Sequence, residues 1–277
     1  MVVTIGFVKL GNLGMSQVID LVLDEIAARE GIVVRTVGTG AKMSPAEAVD
    51  AAHILDTKPD FIVMISPNSS APGPTAARGL VKDIPTIIVS DGPDKKDDRQ
   101  ALVDAGFGYI VLKVDPLIGA KREFLDPVEM ASFNSDAMKV LSTCGVVRMI
   151  QDAMDNVIAQ VASGKSGKDI ELPKILGKPE KCIEYADFQN PYAKAKGLAA
   201  LHMAELVAKV NFPACFVMKE IEQVTLTAAT GHELMRAAAD LAIAAREIEK
   251  SNDTVVRKPH AKDGRILYKV KLAEKPQ

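Results

Sequence analysis

Five short apolar runs punctuate the first 115 or so residues, near Val2–Val8, Ile32–Val37, Phe61–Ser66, Thr86–Ser90 and Tyr109–Val114. Each is separated from the next by an amphipathic or capped stretch. Runs this short and this continuously apolar suit strands covered on both faces, and the alternation of strand with helix predicts a parallel sheet wrapped by helices. The helix starts are marked: Ser44-Pro45-Ala46-Glu47 is a capping box with proline at the first helical position, and Gly73-Pro74 repeats the proline placement.

Beyond Pro116 the pattern changes to long helices rich in Ala, Met and Leu. Asp126-Pro127-Val128-Glu129, Asn190-Pro191 and Thr230-Gly231-His232-Glu233 read as helix starts. Leu234, Ala238, Leu241, Ala245 and Ile248 recur at spacings of four and three and form one narrow apolar stripe; Val147, Ile150, Met154, Val157 and Val161 form another. The stretch Ser163–Gln189, rich in Gly, Lys and Pro, predicts loops with one or two short strands. Arg265–Lys271, RILYKVK, alternates apolar and polar residues and is expected to pair there as a small antiparallel sheet. The expected fold class is therefore α/β: a Rossmann-like parallel sheet with helices on both faces, plus a mainly helical part and a small antiparallel sheet. The expected division is residues 1–120 and 121–277, and no internal repeat interrupts it.

Composition excludes several function classes. The formal net charge is −2, which gives no general attraction to nucleic acid or to an anionic membrane, and neither is an expected partner. The first residues lack a basic n-region with a cleavage site, and no apolar run approaches the roughly 20 residues that span a bilayer. A cytoplasmic protein is expected. Cys144, Cys182 and Cys215 are widely spaced and odd in number, so neither a disulfide framework nor a CxxC site is indicated, and they read as small core residues.

The stretch IGFVKLGNLG, Ile5–Gly14, has the form of a dinucleotide-binding turn except at Lys9, which stands where the first glycine of G-x-G-x-x-G belongs. A strand-to-helix turn places backbone N–H groups at a helix N-terminus, where an anion or a polar ring edge binds. Gly11 and Gly14 allow close approach; they equally serve a turn that binds nothing. A conventional NAD site also needs an acid roughly 20 positions on, and the second strand instead runs into Gly38-Thr39-Gly40-Ala41-Lys42. Lys42 keeps NADP open as an alternative.

Ligands of open parallel sheets sit outside the carboxyl ends of the strands. That rule gathers Lys9–Leu13, Gly38–Lys42, Ser66–Gly73 and Ser90–Lys96 along one rim, within which Lys9, Gly11, Asn12, Leu13, Ser66, Pro67, Asn68, Ser69, Asp91, Lys95 and Lys96 are the candidate cofactor-binding residues. Each stretch also has an ordinary structural use, as a turn-rich connector or a solvated helix start. No catalytic side chain stands out. His53, His202, His232 and His260 are in no metal spacing, and His232-Glu233 continues to Arg236 where a zinc site would place its second histidine. The helix-cap role of Glu233 accounts for that pair, and His202 reads as a packed or partner-facing residue. There is no nucleophile elbow and no P-loop. A cofactor-like rim without acid, base, nucleophile or metal site suggests that the bound ligands themselves carry the chemistry, as in hydride transfer between two rings.

The blocks TIGFVKLGNLGMSQVIDLVLDEIAAREGI, FIVMISPNSSAPGPTAAR, IIVSDGPDKK and FQNPYAKAKGLAALHMAEL together resemble the coenzyme F420-dependent methylenetetrahydromethanopterin dehydrogenases of methanogenic and sulfate-reducing archaea, over essentially the whole chain. The resemblance implies an oxidoreductase that moves a hydride reversibly between methylenetetrahydromethanopterin and coenzyme F420, a co-substrate, with no metal. It also implies a homohexamer built from dimers. Lys9 or the backbone amides of Gly11–Leu13 are then candidates to stabilise charge on the reduced deazaflavin ring, and Asp91 or Asp94 to face the cationic methenyl product. A deazaflavin has no adenosine ribose to bind, so neither the first fingerprint glycine nor the acid is required. The alternatives are an NADP-dependent reductase of the hydroxyacid-dehydrogenase type and a non-catalytic α/β binding module.

Overall fold

The computed structural model describes residues 2–119 and 121–277; Met1 and Ala120, the two ends of the expected α/β part, lie outside the described residues. In chain order the elements are β1 (Val3–Lys9), α1 (Gly14–Ala27), β2 (Ile32–Gly38), α2 (Pro45–Ala48) continued by a 3-10 helix (Val49–Thr57), β3 (Phe61–Ile65), α3 (Pro72–Leu80), β4 (Thr86–Ser90), α4 (Lys96–Asp104) and β5 (Gly108–Leu112). There follow α5 (Pro127–Thr143), α6 (Val146–Ala162), β6 (Lys174–Gly177), α7 (Pro179–Cys182), α8 (Pro191–Phe216) and α9 (Ile221–Ser251). All five apolar runs of the first part are strands, with ends shifted by no more than two residues from expectation.

The chain divides into two compact units. One comprises Met1–Lys113, Ile150–Gly177 and Ala261–Arg265; the other comprises Val114–Met149, Lys178–His260 and Ile266–Gln277.

In the first unit the strands form one parallel sheet in the order β2-β1-β3-β4-β5-β6. This is the doubly wound sheet expected, in its flavodoxin-like strand order. The chain steps one way from β1 to β2, then crosses back over β1 to β3 and continues the other way. Right-handed crossovers consequently place α1 on one face and α2, α3 and α4 on the other. The packing agrees: Val8, Leu10, Ile62, Met64 and Ile88 form one buried cluster with Ala48, Ala51, Ile54, Ala77, Val81 and Leu102. At the end of α1, the nearly buried Arg29 bridges Asp155 of α6 at 2.5 Å and Glu25 at 2.7 Å.

Two expectations are corrected. A strand does form within Ser163–Gln189, but β6 extends the parallel sheet beside β5 instead of pairing with RILYKVK. Tyr109 donates its N–H to Pro173 O at 2.7 Å, and Gly108 lets Leu172 come within 2.6 Å of where a Cβ would lie. RILYKVK makes only two isolated antiparallel bridges, Arg257 with Lys269 and His260 with Ile266. Its Ile266 and Tyr268 stay about half exposed, so no buried face fixes a longer ladder. The second correction concerns Thr230–Glu233, which is the interior of α9 and not a helix start.

The reason lies in the α8–α9 hairpin of the second unit, two long helices joined by only Val217–Glu220. Their buried positions are mostly small: Ala193, Gly197, Ala200 and Ala204 on α8, and Ala228, Gly231, Ala238, Ala242 and Ala245 on α9. A Cβ on Gly231 would lie 1.8 Å from Asn211 Oδ1. The glycine that suggested a cap is there for close helix approach, despite its intrinsic cost of about 1 kcal/mol inside a helix. Ala238 and Ala245 of the predicted stripe are buried within the chain, while Leu241 and Ile248 are half-buried on its flank.

Polar contacts with the same hairpin hold the segment after β5. Asn211 Nδ2 donates to Leu117 O at 2.6 Å, and Lys121 Nζ donates to Met218 O at 2.6 Å. His232 places Nε2 2.8 Å from Ile118 O and Nδ1 3.2 Å from Glu129 Oε2, with its ring against Phe124 and Phe133. Of the three cysteines, Cys144 and Cys182 are buried, and burial pushes each thiol up to about 12. Both are core residues, as expected.

Gly231→Ala should destabilise the protein by about 1–3 kcal/mol through overpacking against Asn211. In a double-mutant cycle with Asn211→Ala the two losses should fall short of additivity by about 1 kcal/mol or more, read from urea denaturation midpoints. Full additivity would show that the two residues do not meet.

Candidate functional site

The reversal of chain direction falls between β1 and β3, and in open α/β sheets the crevice outside the carboxyl ends of the strands at that point is where ligands bind. One wall is the β1–α1 turn. Lys9 is the last residue of the strand, in register with Gly38 on one side and Ile65 on the other, and its carbonyl accepts the Thr39 N–H at 3.0 Å. Nothing there needs glycine. The turn itself begins at Gly11, whose φ of +81° suits glycine; a Cβ there would meet Met43 Sδ at 3.0 Å and Pro67 Cδ at 3.3 Å. Leu13, extended at φ −148°, precedes α1 without a side-chain cap, and the first turn of α1 holds no acidic residue. The end of a 14-residue helix thus presents its positive pole at the crevice.

The facing wall follows β3. Ser66 is buried, Pro67 abuts Gly11, Asn68 Oδ1 accepts the Ser70 N–H at 2.9 Å, and Ser69 donates its N–H and its hydroxyl to Gly92 O at 3.0 and 3.3 Å. A parallel bridge between Asn68 and Gly92 carries this wall into the loop after β4. The structure therefore brings Lys9, Gly11, Asn12 and Leu13 opposite Ser66, Pro67, Asn68 and Ser69, with Asp91 beside Gly92. Lys95 and Lys96 are exposed where α4 begins, further along the rim.

Electrostatics differ along this rim. Burial pushes the Asp20 carboxyl of α1 up, against the pull of the Lys9 cation. Asp94 behaves oppositely. The hydrogen bond from Lys113 Nζ, 2.8 Å from its Oδ2, holds its carboxyl below the usual range, and Arg99 donates to its carbonyl at 3.0 Å. Its charge is thus neutralised within the fold.

One residue of this rim was not among the candidate cofactor-binding residues. Ser90 ends β4 beside Ser66; its hydroxyl is buried, with the residue 1% exposed, and has no hydrogen-bond partner. An orphaned buried hydroxyl costs about 1–3 kcal/mol, and a polar ligand edge in the crevice is the kind of group that would complete it. The available signal was a serine closing an otherwise apolar strand. His202, by contrast, is exposed on α8, 3.3 Å from Glu180. Among the described residues no group of His, Cys, Asp and Glu could hold a metal ion, and no helix is long and apolar enough to cross a membrane.

Comparisons with known proteins agree with one another. The family model described as methylene-5,6,7,8-tetrahydromethanopterin dehydrogenase matches residues 3–277. The F420-dependent methylenetetrahydromethanopterin dehydrogenase of Methanosarcina acetivorans is 72% identical over 99% of each chain, and that of Archaeoglobus fulgidus is 50% identical over 100% of each. A solved structure of F420-dependent methylene-tetrahydromethanopterin dehydrogenase in complex with methylene-tetrahydromethanopterin and coenzyme F420 superposes with a TM-score of 0.94, at 44% identity and with both chains fully covered.

The lowered Asp94 carboxyl fixes a pH dependence. A carboxyl whose folded value is depressed contributes stability above its unfolded value, near 3.8, and loses it as pH falls through the folded value. Asp94 and Lys113 are both partly exposed, so the contribution should stay below about 1 kcal/mol. The melting temperature of Asp94→Asn should lie slightly below that of the unaltered protein at neutral pH, and the two should converge in strong acid. A gap that persists there would mean that the pair is not the cause.

Proposed function

Because the chain belongs to the methylenetetrahydromethanopterin dehydrogenase family, we infer that it catalyses reversible hydride transfer between methylenetetrahydromethanopterin and coenzyme F420. The products are methenyltetrahydromethanopterin and reduced F420, in archaeal one-carbon metabolism. The geometric observation that carries this function is the β1/β3 crevice, walled by Gly11 and Pro67 and closed at the second strand by a loop without a carboxylate. That loop removes the ribose contact that a nicotinamide dinucleotide requires.

The bound deazaflavin supplies the hydride-accepting carbon. This chain supplies position and charge. The crevice holds the two reacting rings in contact, which removes the entropic cost of their encounter, and the stiff Ser66–Pro74 wall limits their motion. The N–H groups of Asn12 and Leu13 and the Lys9 cation face the place where negative charge develops on the reduced ring, where a preorganised donor lowers the barrier; the Gly11 N–H is already given to Thr39 Oγ1 at 3.4 Å. Ser66, Pro67, Asn68 and Ser69 form the opposite wall, and Ser90 adds a hydroxyl beneath it. Lys95 and Lys96 serve anionic groups further along the ligand. Asp91 or Asp94, the latter held by Lys113, is the proposed carboxylate for the cationic methenyl product.

The protein is further proposed to be a cytoplasmic homohexamer built from dimers. Apolar side chains around the α8–α9 turn support self-association: Phe212 and Phe216, with ring centroids 5.1 Å apart, are exposed together with Val217, Ile221 and Leu226.

The decisive experiment mixes the purified protein with the pterin substrate and either F420 or NADP, following the absorbance of each acceptor. Turnover is expected with F420 and not with NADP; the reverse outcome refutes the assignment. In the same assay Lys9→Ala should lower kcat/KM by about one to two decades if its charge-assisted contact is worth about 1.5–3 kcal/mol. Unchanged kinetics would make Lys9 a surface cation.

A further inference from the structure

Arg78 belongs to the last turn of α3, yet its side chain runs back along the helix to the loop that precedes it. One terminal nitrogen donates to Ser69 O, and the other donates to Thr75 Oγ1 at 3.2 Å. Ser69 in turn gives its N–H and its hydroxyl to Gly92 O, at 3.0 and 3.3 Å. A continuous chain of hydrogen bonds therefore leads from the guanidinium, through the loop after β3, into the loop after β4. The second loop is anchored at its far side by the Lys113–Asp94 ion pair.

Two observations set this arginine apart from a solvated helix residue. It is half-buried and its burial lowers its pKa, yet among the described residues no carboxylate pairs with it. An arginine desolvated for the sake of a backbone carbonyl is unusual, because the charge is more cheaply left in water. The start of α3 also cannot hold the loop by itself. Pro72 and Pro74 remove two of the N–H groups that the first turn of a helix would otherwise offer.

We propose that Arg78 is a positioning residue for F420 binding, its planar fork fixing the gap between the loops after β3 and β4 so that Pro67–Ser69 and Gly92 grip the same ligand. The assignment rests on placing the deazaflavin in the β1/β3 crevice. Arg78 itself touches no reacting atom. Lysine is a poor replacement, since a single ammonium cannot span Ser69 O and Thr75 Oγ1 with the same preorganised geometry.

The test compares Arg78→Ala and Arg78→Lys with the unaltered protein in three measurements: F420 affinity by quenching of its fluorescence, steady-state kinetics with each substrate varied in turn, and thermal melting. Arg78→Ala should weaken F420 binding and raise its KM by about tenfold, with kcat and the pterin KM little changed. Low millimolar guanidinium should restore the lost F420 affinity, and Arg78→Lys should lie between the two. If Arg78→Ala does not fold, Arg78→Lys carries the same comparison in a chain that keeps the charge. Unaltered F420 affinity in a folded variant overturns the proposal, as does an equal rise in both KM values or a loss that guanidinium does not rescue. If the unaltered protein shows no F420 binding, the placement of the ring falls first, and the role of Arg78 falls with it.

Discussion

Right-handed crossover connections and a reversal of direction between β1 and β3 determine most of what this molecule can do. After β2 the chain has to pass back over β1, and the connections through α2, α3 and α4 then lie on the face opposite α1. The turns after β1 and β3 leave the sheet on opposite faces, and a crevice opens between them without any side chain having to carve it. Gly11 and Pro67 face each other across that gap, and a Cβ on Gly11 would lie 3.3 Å from Pro67 Cδ. The end of α1, with no side-chain cap and no acidic residue in its first turn, gives it a positive pole. The same parallel sheet with its chain running in one direction throughout would keep its core and lose the crevice.

Chemistry by positioning follows from this architecture. In the proposed reaction a hydride moves between two bound rings, which calls for no nucleophile and no proton relay, only rigidity and a few well-aimed dipoles. The rim is built in that way. Backbone groups of Lys9, Ser66 and Ser69 are tied to Thr39, Val89 and Gly92, which holds the end of β1 to the loop after β2 and the loop after β3 to β4 and the loop that follows it. Arg78 belongs to this network, and the Asp94–Lys113 pair closes its outer side. Charge on the rim is in part used to hold loops in place.

The second unit obeys a different constraint. Alanine and glycine along α8 and α9 bring two long helices close, and close backbones leave no room for ordinary side chains at the contact. Asn211, wholly buried, fits only because position 231 is glycine. Having been admitted, it donates to Leu117 O, while His232, one residue beyond the glycine, reaches Ile118 O. Packing at one helix crossing is thus coupled to the conformation of the segment that follows β5.

How much of this was legible in the sequence depended on whether the cause was local. The five strands of the first part, the capping box at Ser44 and the proline-led starts of α5 and α8 were readable because run length, caps and proline act within a few residues of themselves. The fingerprint turn with Lys9 was readable too, together with the missing acid after β2, and so were the strand-end loops as candidate binding segments. Strand order was not, since one set of apolar runs fits several orders of a parallel sheet; the edge that took in Lys174–Gly177 was set by space beside Gly108. Gly231 misled because a glycine that ends a helix and a glycine that admits a neighbour look identical in one dimension. The particular roles of Ser90 and Arg78 were invisible for the same reason. A serine matters when its hydroxyl is buried without a partner, and an arginine when its guanidinium reaches a particular carbonyl, and both conditions depend on residues brought together only by tertiary packing.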